Sequence, residues 1–108
     1  MAKNLKALGE VYDYPCTAAV NSGDVVVMND TVGVALSNGA IGDVIAVRVE
    51  GVFELPKLSS SDIAQGKKVY WDAVNGQVNL TASGNTYAGK AYVAAGASTT
   101  TVQVALNA

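Results

Sequence analysis

Histidine is absent from the 108 residues. Its absence excludes Ser-His-Asp and Cys-His catalysis and the usual histidine-bearing zinc sites. Cysteine occurs once, at Cys16, so no intrachain disulfide can form, and a reducing site of synthesis is the simplest reading. A lone cysteine of this kind reads as a small buried or half-buried residue rather than a nucleophile. Charge is scarce: seven Lys and Arg against nine Asp and Glu leave a net −2. That balance gives no reason to expect nucleic acid or an anionic membrane as partner. No apolar run approaches the roughly 20 residues of a membrane span. Lys3 and Lys6 precede no apolar core of signal-peptide length, so no export signal is expected.

What is present is apolar and β-forming. Half of the residues are apolar, which makes the chain globular rather than disordered. Val, Ala, Gly and Thr dominate and favour strands and tight turns. The length predicts one domain with a real core. Residues 1–9 show no strand pattern and no cap signal and are expected to form an N-terminal arm, with a single β domain over residues 10–108.

The most informative stretch is Ile41–Leu58. Ile45, Val47, Val49, Phe53 and Leu55 alternate with Ala46, Arg48, Glu50, Val52 and Glu54, the period of a strand with one buried face. Asp43 to Leu55 fully extended would span about 40 Å, against a radius of gyration of about 13 Å for a compact chain of this size. Gly51 keeps the parity and lacks a Cβ, so the strand is expected to bend there and cross from one sheet, or one side of a barrel, to the other. Pro56 then ends it.

Further strands are expected at Glu10–Tyr14, Asp24–Met28, Thr31–Leu36, Lys67–Ala73, Gln77–Thr81, Thr86–Ala94 and Thr100–Asn107, separated by turn residues such as Asn21-Ser22-Gly23 and Asn75-Gly76. Ser59–Ser61 offer N-caps, and Gly66 stands where a helix would stop, which predicts one short helix near residues 60–65. The fold class is all-β, a compact sandwich or small barrel with that one helix. The halves echo one another. Ser22-Gly23-Asp24 leads into a strand as Gln65-Gly66-Lys67 does, and Gly-x-Ala recurs at Gly33-Val34-Ala35 and Gly89-Lys90-Ala91. A duplication and the self-similarity of glycine-rich β chains both account for this.

Four constellations invite a chemical reading. Gly84-Asn85-Thr86-Tyr87-Ala88-Gly89-Lys90-Ala91 matches a phosphate-cradling loop except at its last position, where Ala91 replaces the magnesium-binding hydroxyl. The residues after it alternate as a strand instead of opening a helix, so Lys90 reads as a strand lysine with a solvated head. Glu50 and Glu54 near Arg48 read as a solvent-facing strand rather than a glycosidase pair. Asp24, Asp30, Asp43 and Asp72 flank turns and have no calcium-loop spacing. Trp71, Tyr70, Tyr87 and Tyr92 fit core and interface packing better than a stacking platform, because no basic cluster accompanies them. No catalytic, metal or cofactor site is expected.

Charge is unevenly placed: from Ala73 to Ala108 the only charged side chain is Lys90. Either that surface is neutral without consequence, or it meets another subunit, since interface cores are depleted in charge. On the second reading Tyr87, Tyr92, Thr101 and Gln103 are the interface candidates.

Several segments resemble the small phage capsid cement, or decoration, proteins, a family that also carries an older label as a predicted phage recombinase. They are Ser22-Gly23-Asp24, Val32-Gly33-Val34-Ala35-Leu36, Gly51-Val52-Phe53-Glu54-Leu55-Pro56-Lys57, Ala64-Gln65-Gly66, Val69-Tyr70-Trp71-Asp72 and Thr101-Val102-Gln103-Val104. The resemblance runs from Asn21 onward and is weakest in the arm. It implies a β-rich, non-enzymatic protein without cofactors, made in the bacterial host cytoplasm. Such a protein would bind the major capsid protein lattice on the outside of an assembled head, commonly as a homotrimer, with no nucleic acid or membrane partner. Two rivals of other classes are a nucleotide-dependent recombinase and a virion-surface glycan-binding module.

Overall fold

The computed structural model describes residues 9–108. The expected arm therefore lies, Gly9 apart, outside the described residues. The strands are β1 (Val11–Pro15), β2 (Val25–Met28), β3 (Thr31–Ala35), β4 (Val44–Arg48), β5 (Val52–Pro56), β6 (Lys68–Asp72), β7 (Gln77–Asn79), β8 (Thr86–Ala91) and β9 (Thr101–Leu106). They form a four-stranded sheet in the order β1-β4-β3-β2 and a five-stranded sheet in the order β5-β9-β8-β6-β7. Every strand pairing is antiparallel. The architecture is sandwich-like and all-β.

The long alternating stretch divides as expected. β4 belongs to the first sheet and β5 to the second, with Gly51 between them at φ +107°. That dihedral is one L side chains rarely adopt, so the bend is built on glycine. Most of the other expected strands are present within a few residues of their predicted limits.

Two expectations are corrected. No helix forms near residues 60–65. Ile63 exchanges both backbone hydrogen bonds with Ala95 (2.9 and 2.8 Å), so its amide and carbonyl are unavailable to a helical turn. The Lys57 ammonium donates to the Leu58, Ser59 and Ser61 carbonyls, which a helix there would have used as acceptors. Gly66, at φ +81°, is the left-handed third residue of a turn closed by Lys67 N–H donating to Ala64. Nor does either sheet close into a barrel. In the second sheet β5 and β7 meet only through one parallel bridge, Lys57 to Val78, and in the first sheet β1 and β2 stay apart.

The two halves repeat one hydrogen-bonding scheme. Val20 and Gly39 exchange bonds as Ile63 and Ala95 do; Gly23 donates to Ala35 as Gly66 donates to Ala91. Cys16 donates to Asp43 as Lys57 donates to Thr100, and Val49 to Glu10 as Leu106 to Gly51. Thus β1, β2, β3 and β4 correspond to β5, β6, β8 and β9, and β7 is an addition to the second half. The echo in the sequence, Gly23 with Gly66 and Gly33 with Gly89, marks positions that correspond in this scheme.

Packing follows from strand parity. Val25, Val27, Val32 and Val34 on one side of the first sheet join the main core with Leu55, Val69, Trp71, Val102, Val104 and Leu106 of the second. Val26, Ala35, Ile45 and Val47 on the other side form a smaller core with Cys16, flanked by half-buried Tyr14, Val20 and Met28. β2 sends alternate residues into the two cores, Val25 and Val27 into the main one and Val26 and Met28 into the smaller. Asn107 ties the end of the chain to the first sheet, its side-chain amide donating to the Val32 and Val49 carbonyls (2.9 and 2.7 Å).

Candidate interaction surfaces

The chemistry-bearing residues are dispersed by the fold. Gly84 is the left-handed residue of the turn Ala82–Asn85, and Lys90 lies in β8, exposed and paired with Lys68 and Ala105. Gly89 serves packing: a Cβ there would stand 2.0 Å from the Ala105 carbonyl oxygen. The phosphate-loop match is thus a turn followed by a strand. Glu50 and Glu54 are both exposed, and Arg48 reaches back to Glu10 at 3.9 Å while its Nε–H donates to the Glu50 carbonyl. Asp24 and Asp43 accept from the Asn21 and Ala40 amides (2.9 Å each). Asp72 accepts from the Asn75 side chain and from the Val74 and Asn75 amides, and these bonds, that from the Asn75 side chain first, hold its carboxyl below the ordinary value. These are turn-capping roles, as expected from the positions of Asp24, Asp43 and Asp72 beside turns; Asp30 accepts no such bond among the described residues.

The aromatic residues do not assemble into one platform. Trp71 is in the core. Tyr70 and Tyr87 meet edge-to-face with ring centroids 5.7 Å apart, and the Tyr87 hydroxyl donates to the Ala108 carbonyl. Tyr92 stands apart at the end of β8, 56% exposed.

Of the interface candidates, Tyr87, Thr101 and Gln103 share the outer face of the second sheet, as the pairings Tyr70–Tyr87, Pro56–Thr101 and Glu54–Gln103 require. Tyr92 lines a separate groove of about 500 Å³ with Tyr12, Gly51, Val52, Ala105 and Leu106, where the two sheets join. Strand pairing brings Glu54 and Lys68 onto the candidate face beside Lys90. The face is therefore less neutral than its last two strands suggest.

A second surface had no signal in the alternation of the sequence. Leu36, Ile41 and Val44 are exposed apolar side chains (46%, 74% and 65%) around the start of β4. Leu36 donates its amide to Ala46, two residues beyond Val44. In sequence order Val44 opens a strand and Ile41 looks like part of it. Only the turn Ala40–Asp43, closed by Asp43 N–H donating to Ala40, shows that Ile41 projects from a loop.

Lys57 was also missed. It is 4% exposed, and its ammonium holds the three loop carbonyls named above. Its place after Pro56 gave no hint, because a lysine at a strand end normally reaches solvent.

Among the described residues no group of three or more His, Cys, Asp and Glu could hold a metal ion. What the fold offers among the described residues is an all-β framework with apolar and polar side chains on its outside. The chain belongs to the phage cement protein family, whose model matches residues 7–106. Membership supports a structural role at the phage capsid. No curated protein and no solved structure is similar enough to the chain to count as a match.

Proposed function

We propose that this is a non-enzymatic cement protein that binds the outer surface of an assembled phage head and stabilises it by adding buried interface across joints between coat subunits. The family match over residues 7–106 carries this reading. The exposed apolar side chains Leu36, Ile41 and Val44, gathered around the start of β4, are surface that such contacts could bury. A trimer fits the reading, with Tyr87, Thr101 and Gln103 on the subunit boundary, and so does synthesis in the host cytoplasm before addition to the virion. Joints between coat subunits exist only in the assembled shell, so heads and not free coat protein are the ligand. Several equivalent contacts per oligomer raise avidity even when each is weak.

The test is co-sedimentation of labelled protein with undecorated, expanded heads over a salt series, beside a duplex-DNA control. Retention on heads that varies little with salt is expected, since the net charge is small. Bare heads with retained DNA would overturn the proposal and favour the recombinase reading.

A further inference from the structure

The two halves differ at one place. Between β6 and β8 the second half carries residues 73–85, which include β7; between β2 and β3 the first half has only the turn Asn29-Asp30. β7 fills the space between β6 and β5. It pairs antiparallel with β6, Trp71 opposite Val78, and Leu58 N–H donates to the Val78 carbonyl at 2.9 Å on the β5 side. Val78 is fully buried there, between the polar residues Gln77 and Asn79.

Among the described residues the corresponding space in the first half is open. A cleft of about 390 Å³ lies between β1 and β2, lined by Tyr14, Pro15, Thr17, Val27, Met28 and Asn29. By the repeat, Met28 stands where Trp71 does, and Cys16-Thr17 stand where Lys57-Leu58 do. Thr17 N–H, the counterpart of the amide that receives Val78, has no backbone acceptor among the described residues. Among the described residues the outer edges of β1 and β2 are unpaired, and such edges are templates for a further strand.

We propose that this cleft receives an extended segment of a coat-protein chain, which completes the first half as β7 completes the second. The internal copy specifies the chemistry. The segment runs antiparallel to β2 and presents one small β-branched aliphatic side chain over Met28, flanked by polar residues. Its carbonyl accepts from Thr17 N–H. The identity of the donor as coat protein rests on the cement reading; the capacity of the cleft to take a strand does not.

Two experiments separate these parts. A peptide of residues 75–81 of this chain, titrated into the whole protein at millimolar concentration, should shift the Thr17 and Met28 amide resonances. The same peptide with Val78→Asp should not. Absence of shifts at both residues with the parent peptide would overturn the cleft as a strand site, whatever the heads do. In the second experiment residues 73–85 are copied between Asn29 and Asp30, so that the protein fills its own cleft. This graft should lower retention on heads about tenfold or more. An insertion of equal length at the Asn75-Gly76 turn should leave retention unchanged. Should the graft fail to fold, Met28→Lys tests the same contact by placing a charge where the aliphatic residue would sit, and the same loss is expected. A graft or Met28→Lys protein that is folded and binds heads like the parent would overturn the coat segment as occupant. Heads left bare by the parent itself would overturn the cement reading, and with it the coat donor, while the peptide result still decides the cleft.

Discussion

Residues 10–49 and residues 51–106 fold around the same pattern of backbone hydrogen bonds, yet they are finished differently. The second half has Trp71, Lys57 and the added strand β7, and its interior is the main core. The first half has Met28, Cys16 and a cleft at the corresponding places, and its own core is smaller. Turns and close-packed glycines set the shared backbone; side-chain size and one inserted hairpin set how far each half closes. The second half should therefore dominate stability, and the first should tolerate change and remain available for contacts.

The sharpest test uses the paired glycines of β3 and β8. A Cβ on Gly89 would stand 2.0 Å from the Ala105 carbonyl oxygen, a backbone atom, and φ there is +145°. A Cβ on Gly33 would meet chiefly the Val47 Cγ1 methyl at 2.4 Å, a side-chain atom rather than backbone, with the Arg48 carbonyl oxygen next at 3.1 Å. Gly89→Ala is expected to cost more than about 4 kcal/mol or to abolish folding, and Gly33→Ala about 1–3 kcal/mol. Urea unfolding of the two variants measures both, and equal costs would break the asymmetry.

Core truncation comes next. Trp71 is 8% exposed, and Trp71→Ala should cost about 3–5 kcal/mol. Met28, at the corresponding place but only half-buried, should cost about 1–2 kcal/mol on truncation. The ratio, read from denaturation midpoints, sharpens the comparison. A larger loss at Met28 would mean that the smaller core carries the fold.

The third pair is Lys57 and Cys16. Lys57→Ala removes an ammonium that satisfies three carbonyls of the Leu58–Ser61 loop, and about 2–4 kcal/mol is expected. Cys16→Ala removes only a buried sulfur, and about 1 kcal/mol is expected. Thermal melts of both variants test this. Comparable losses would show that the lysine does no more than fill space.

The junction of the halves ranks lower. Gly51 is exposed, and a Cβ there would have its nearest neighbour at 3.5 Å, an ordinary contact. Only the φ of +107° opposes substitution, so Gly51→Ala should cost about 1–2 kcal/mol. A melting curve that matches the parent would show that the bend does not require a left-handed residue.

The bend itself was legible because alternation continues through Gly51 while the strand length exceeds the size of the domain. Strand positions were legible for the same local reasons: alternation inside, turn residues at the ends. The false helix came from reading Ser59–Gly66 by its caps alone. What decided that segment was remote, the bridge from Ile63 to Ala95 and the ammonium of Lys57. The cleft was illegible because it is defined by a missing hairpin, visible only once β7 is seen in the other half. The interface candidates were placed by charge depletion along the chain, whereas Glu54 and Lys68 reach the same face through pairing with distant strands.

The smallest expected effect concerns the turn after β6, where the second half has Asp72 and the first half has Asn29 at the corresponding position. Hydrogen bonds from the Asn75 side chain, then from the Asn75 and Val74 amides, favour the charged carboxylate and lower its pKa in the folded state. A group whose folded pKa is depressed adds stability above its unfolded pKa and loses it as pH falls through the folded value. The contribution of Asp72 should thus be complete above about pH 4 and fade below it. Asp72→Asn makes the second half resemble the first at this position. The parent should melt above the variant at neutral pH, and the gap should shrink on acidification toward the depressed value. Because the side chain lies at the surface, the gap is expected to be modest and to be reduced further by salt. A gap that stays constant through the acid range would show that the charge of Asp72 is irrelevant and that only the shape of its turn differs between the halves.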